Sequence, residues 1–249
     1  MRRSTLASLL LVGIFAGCGD DVGAGETGRL VVSAASSMTE ALTACSSDFS
    51  GADVRLSFAG SDELAAQIRQ GVKPDVYAAA NTKLPDELNK EGLLSKPVEF
   101  AGNELVIAVP KDSRIKSVED LGGDGVKLAI GSESVPIGSY TREVLARLPK
   151  AESAGILANV RSNEPDVKGI VGKLTQGAAD AGLVYVTDVN AAGGELRALK
   201  LPAELEPDVT YAAGVVKGAK QPDEARAFVN GLTDGGCAEA LARAGFGAP

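Results

Sequence analysis

Short apolar runs alternate along the chain with segments whose apolar positions recur at helical spacing. RLVVSAA (29–35) is continuous enough to be a buried strand, and SMTEALTACSSDF (37–49) carries apolar or small residues at helical intervals. DVRLSF (53–58) alternates, with Val54, Leu56 and Phe58 on one side. DELAAQIRQG (62–71) reads as a helix ending on Gly71, DVYAAA (75–80) as a short strand, and LPDELNKEG (84–92) as a charged helix ending on Gly92. The stretch KLPDELNKEGLLSKP around it is expected to be a solvated face. NELVIAVP (103–110) is a strand closed by Pro110, followed by a strand at KLAIG (127–131) and a helix from Gly138 to about Leu148. A helix across DVKGIVGKLTQG (166–177) precedes the strands AGLVYV (181–186) and VTYAAGVV (209–216). PDEARAFVNGL (222–232) and CAEALARAGF (237–246) are two closing helices. This alternation predicts an α/β fold with a parallel sheet covered by helices.

The N-terminus follows a different pattern. Arg2 and Arg3 precede the apolar run LASLLLVGIFAG and Cys18. A basic start and so short an apolar stretch describe an export signal rather than a membrane span. Two small residues ahead of a cysteine, with a polar stretch after it, resemble a lipoprotein cleavage site. Residues 1–17 are therefore expected to be a lipoprotein signal peptide, Cys18 the lipidated residue, and 18–27 a tether. A plain signal cut elsewhere is the other reading.

Without Arg2 and Arg3 the chain carries 23 basic against 33 acidic residues. So acidic a balance argues against nucleic acid as a partner. There is no histidine, which excludes a Ser-His-Asp triad, a Cys-His pair and every His-ligated metal site. Cys45 and Cys237 are an even pair in an exported chain, either joined as a disulfide or buried as two thiols.

Several strand ends share one chemistry. Ser36-Ser37, Gly60-Ser61 and Ser132 with VPIGSY each lead from a strand into a helix. A helix start exposes N–H groups and the positive end of a dipole, so it suits an anion. Taken singly, each corner is explained by capping: Ser37 with Glu40 is an S-x-x-E box, and Ser61 precedes Asp62 and Glu63. GKLT (172–175) lacks the earlier glycine of a phosphate loop, Val167 standing in its place. Ser113-Arg114-Ile115-Lys116 forms an S-x-x-K string in a charged turn with no partner motif.

Taken together the corners resemble the periplasmic molybdate-binding proteins, the receptors of molybdate importers. AASSMTEAL, FAGSDELAAQI, PDVYAAAN, NELVIAVP, VPIGSY, DVKGIV, AGLVYVTD and the closing ARAGF follow the family's segments in order. The resemblance implies two α/β lobes, each a sheet flanked by helices, joined by two crossing strands at NELVIAVP and VTYAAGVV. Lobe I would take 28–106 plus 215–249 and lobe II 107–214. It also implies ligand contacts: the hydroxyls of Ser37 and Ser61, the backbone N–H of Ile137 and Val167, and the phenol of Tyr185. Ser36 is either a further donor or a brace. Isoleucine at 137 departs from the family's usual alanine, and AGS before the second motif lacks a further serine hydroxyl.

The function implied is a lipid-anchored extracytoplasmic receptor, not an enzyme, that takes molybdate or tungstate and hands it to the permease of an ABC importer. It would act as a monomer, without a cofactor and without side chains bonded to metal, molybdenum arriving as its oxyanion. With donors only in the cleft, a fully ionised dianion fits and hydrogen phosphate, which brings a proton, does not. Other readings are a receptor for another oxyanion such as sulfate, an exported hydrolase built on Ser113 and Lys116, and an adhesion module.

Overall fold

The computed structural model describes residues 28–249, so the signal peptide, Cys18 and the tether lie outside the described residues. The chain builds a first lobe from β1 (Arg29–Ala35), α1 (Thr39–Asp48), β2 (Asp53–Ala59), α2 (Ser61–Arg69), β3 (Val76–Ala79), α3 (Lys83–Lys90) and β4 (Val98–Asn103). It crosses at Glu104 into β5 (Leu105–Pro110), β6 (Leu128–Gly131), α4 (Pro136–Arg147), α5 (Lys150–Ala158), β7 (Val160–Glu164), α6 (Val167–Thr175), β8 (Ala181–Tyr185), α7 (Val186–Ala191) and β9 (Leu196–Lys200). It then returns through β10 (Val209–Val215) to α8 (Pro222–Gly231) and α9 (Gly236–Ala244).

The strands form two five-stranded sheets, ordered β2-β1-β3-β10-β4 and β7-β6-β8-β5-β9. Within each, a parallel trio is extended by antiparallel strands: β10 against β3 and β4, β5 against β8 and β9. The two lobes, each a sheet flanked by helices, are those the resemblance implied, while the parallel sheet expected from the alternation is corrected to mixed sheets. β5 and β10 enter their sheets straight from a lobe crossing rather than through a covering helix, so they arrive in the opposite sense. Because β10 pairs in the first sheet, residues up to 214 do not all belong to the second lobe. The sheets divide at Glu104 and between Lys200 and Val209.

Burial follows strand position. β1, between two neighbours, is buried from Leu30 through Ala35 apart from a half-buried Val31, as strands covered on both faces are. At the edge, β2 alternates, and Val54, Leu56 and Phe58 pack on the core. The charged segment at α3 is not wholly solvated: Leu84 and Leu88 are buried against Leu64, Ile68 and Tyr77. Gly71, at φ 97°, turns the chain out of α2 in a conformation costly to residues with a Cβ.

α1 and α9 lie side by side, and Cys45 is joined to Cys237 across them, their Cα atoms 4.7 Å apart. The crosslink fastens the returning C-terminal helix to the first helix over a separation of 192 residues. In the chain-entropy view such a closure is worth about 5 kcal/mol. Replacing both cysteines by serine should lower the Tm by well over 5 °C in a thermal melt while leaving ligand affinity unchanged. An equal Tm would show that helix packing alone holds α9 in place.

Candidate functional site

Four helix starts converge between the lobes. From the first lobe come the 3₁₀ turn Ser36–Met38 that leads into α1, and the first residue of α2, Ser61. From the second come the first turns of α4 and α6. Between them lies a cavity lined by residues of both lobes, among them Ser36, Ser37, Gly60, Ser61, Ile137, Asp166, Val167 and Tyr185. All five residues singled out for ligand contact, Ser37, Ser61, Ile137, Val167 and Tyr185, meet there, none more than 4% exposed. The cavity volume is about 10 Å³, far short of the ~300–1,000 Å³ usual for organic ligands.

The helix starts are left open by their own sequence. Ala35, Gly60 and Val135 occupy three of the cap positions, and none supplies a side-chain acceptor. The first-turn N–H groups of a helix have no acceptor within it, so those of Ser37, Ser61 and Ile137 lie at open dipole ends. At the fourth, Asp166 Oδ1 accepts from Gly169 N at 3.0 Å, two residues past the N–H of Val167. Sequence reasoning treated the lining as free of acceptors; Asp166 corrects that, although this carboxylate is engaged in capping α6.

The capping expected of the serines does not occur. Ser37 sits inside the 3₁₀ turn, its Oγ 2.9 Å from Tyr211 Oη, while Glu40 reaches Lys168 instead. Ser61 is the first residue of α2 rather than its cap, and its Oγ accepts from Ala80 N at 3.1 Å. Ser36 braces the turn through its carbonyl, which accepts from Thr39 Oγ1 at 2.6 Å. Tyr185 ends β8 with its ring edge-on to Tyr211 and Tyr140. Its phenol oxygen is buried without a hydrogen-bond partner among the described residues. Burial, reinforced by Tyr211, holds its pKa well above the usual phenol range, so the group stays a donor. Lys and Arg are missing from the lining, and no cluster of carboxylate or thiol groups that could hold a metal occurs among the described residues. Ser113 of the S-x-x-K string accepts from Ile115 N in its own turn and does not reach the cavity.

The chain matches the profile of the bacterial extracellular solute-binding proteins over residues 30–247. It is 34% identical to the molybdate-binding protein ModA of Mycobacterium tuberculosis, with 98% of this chain and 97% of the relative aligned. Its fold superposes on the periplasmic molybdate-binding protein of Azotobacter vinelandii with a TM-score of 0.79 at 21% identity, covering 88% of this chain and 99% of the other. A sulfate-binding protein of M. tuberculosis superposes almost as well, with a TM-score of 0.77 at 17% identity over 88% and 86% of the two chains. At these identities the two superpositions show a shared fold and do not choose a ligand.

Beside the cavity, Lys168 bridges the lobes: its Nζ lies 2.8 Å from Glu40 Oε2 and 3.3 Å from Asp188 Oδ1. Asp188 is fully buried and accepts from Tyr185 N at 3.3 Å. Burial pushes its carboxyl up to about 7, against the pull of Lys168. An unfolded Asp titrates near 3.9, so between about pH 4 and 7 the folded chain holds the extra proton and this group's contribution to stability falls as pH rises. Asp188→Asn keeps an oxygen for Tyr185 N and removes that slope. Its Tm relative to the parent should be several degrees higher at pH 8 than at pH 5. A difference independent of pH would mean Asp188 titrates in the fold as it does in the unfolded chain.

Proposed function

Because the chain belongs to the bacterial extracellular solute-binding proteins, in the molybdate-binding ModA family, we propose that it captures molybdate between its lobes and delivers it to the permease of an ABC importer. It is a receptor rather than an enzyme. The observation that carries the choice of an oxyanion is the phenol of Tyr185, buried, protonated and without an acceptor, at a cavity onto which four helix starts open. Ser37 and Ser61 donate their hydroxyls, Ile137 and Val167 their backbone N–H, and Tyr185 its phenol. Each hydrogen bond to a charged acceptor contributes roughly 1.5–3 kcal/mol. Five of them around one tetrahedral dianion hold it without a cationic side chain. This suits an acidic protein, since oriented local dipoles rather than net charge supply the attraction. Tungstate, of nearly equal size, binds as well, and the receptor works as a monomer. Lipid on Cys18 anchors it to the membrane surface, and residues 18–27 give it reach to the permease. Cys18→Ser should then move the protein from the membrane fraction to the soluble one.

Titration calorimetry of the described chain against molybdate, tungstate, sulfate and phosphate tests the assignment. Molybdate and tungstate should bind tightest. Tyr185→Phe should weaken molybdate about 10- to 150-fold, with an unliganded Tm no lower than the parent's, since it removes a hydroxyl that has no partner. Ser37→Ala should weaken binding by a similar factor. Absence of heat with every oxyanion, or full affinity in Tyr185→Phe, would sink this reading of the cavity.

A further inference from the structure

A serine hydroxyl both donates and accepts, so a serine in the lining does not by itself make the cavity a place of donors. What fixes its direction is the partner on its other side. Asn103, at the end of β4, accepts from Glu104 N through Oδ1 at 2.9 Å. A carbonyl oxygen must face that N–H, which settles the orientation of the amide. Its Nδ2 therefore donates, to Thr187 Oγ1 at 3.0 Å and to Tyr211 Oη at 3.3 Å. Tyr211 is fully buried, and burial holds its pKa well above the usual phenol range, so its oxygen keeps its own proton. With Asn103 donating to that oxygen, Ser37 Oγ, 2.9 Å away, is the acceptor the geometry offers the phenol's proton, although distance alone leaves either hydroxyl free to donate. In that arrangement Ser37 accepts from Tyr211, and its hydrogen remains for the cavity.

From this chain of bonds, and resting on the oxyanion reading above, we infer that Tyr211 is a positioning residue: it polarises Ser37 into a donor and so tunes the cleft against anions that carry a proton. Ser61 has the same arrangement by other means, its Oγ accepting from the backbone N–H of Ala80. One cavity serine is thus oriented by the backbone and the other by a side chain, so only the second is open to mutation. Freed of Tyr211, Ser37 can turn and accept a proton from hydrogen phosphate.

The test is a double-mutant cycle on the described chain, with Tyr211→Phe, Ser37→Ala and the double variant titrated with molybdate and with inorganic phosphate. Tyr211→Phe should weaken molybdate on the order of 10-fold while weakening phosphate less or strengthening it. In the Ser37→Ala background the same change should alter molybdate affinity less than about 2-fold, because the residue acts through Ser37. Asn103→Ala, which removes the donor that directs Tyr211, should show the same dependence on Ser37 and serves if Tyr211→Phe folds poorly. Equal weakening of both anions, additive with Ser37→Ala, would overturn the inference and leave Tyr211 as packing. A parent that binds no molybdate but does bind sulfate overturns the ligand assignment alone, and the cycle then runs with sulfate. A parent that binds no oxyanion overturns both.

Discussion

A buried hydrogen-bond donor without an acceptor loses its bond to water and gains nothing in return. Four helix starts and a phenol bring such donors together between the lobes. Three of those helices begin at Ala35, Gly60 and Val135, residues that cannot cap them. The buried carboxylate of Asp75, by contrast, accepts from the N–H groups of Val31, Lys220 and Gln221. Side-chain caps are lacking at α3, α5, α8 and α9 as well; what sets the three cavity starts apart is that they open onto one space lined by both lobes. Like dipole ends facing one another repel, so on the proposed reading a small anion between the lobes favours their approach.

That dependence accounts for how sparingly the lobes hold each other otherwise. Glu40 reaches Lys168, Asn103 reaches Thr187, and Asn190 reaches the carbonyl of Ala244. Two of these involve flexible side chains with substantial solvent access, worth little alone. A ligand touching both lobes can then shift the balance between open and closed, since only one state gathers all its contacts. The exception is the chain Thr187–Asn103–Tyr211–Ser37. It runs from α7 of the second lobe through the crossing at β4 into the first, and ends on a hydroxyl in the cavity. The orientation of that hydroxyl is in this way joined to the meeting of the lobes.

Much of this was legible in the residues, and the omissions have physical causes. Interior strands carry continuous apolar runs, and β1, β3, β5, β6, β8 and β10 were each visible as such. β4, β7 and β9 were not, and all three are edge strands. VRSNE at β7 has no apolar run because only one side meets the core. The five positions proposed for ligand contact were named through resemblance, and the structure brings them to one cavity. The role given to Ser37 and Ser61 as caps was mistaken because a serine at a helix start looks the same whether it bonds its own helix or a distant tyrosine. Tyr211 was missed, although a signal existed. A tyrosine amid the apolar VTYAAGVV must bury its hydroxyl, and a buried tyrosine usually finds a polar partner. Which partner it finds depends on β10 lying beside β4 and below the first helical turn, and no local pattern encodes that.

A fold shared with a sulfate-binding protein does not itself decide between tetrahedral anions, so discrimination has to lie in the dimensions of the lining. Two of the proposed donors are backbone N–H groups, at Ile137 and Val167, whose position is set by where α4 and α6 begin rather than by their side chains. Isoleucine in place of a smaller residue at 137 is therefore no obstacle, its side chain being buried in the hydrophobic core. What remains adjustable is the distance between the lobes, and that is limited at Gly60. A Cβ there would stand 2.5 Å from the carbonyl oxygen of Pro165 and 3.4 Å from Val135 Cγ2, both on the opposite lobe. Backbone meets backbone at this point, so the lobes come as near as a chain without a side chain allows. Any larger residue would hold them apart and enlarge the cavity before a ligand could do so. On the proposed reading, the size of the guest is thus bounded by the one lining residue that has no side chain to offer it.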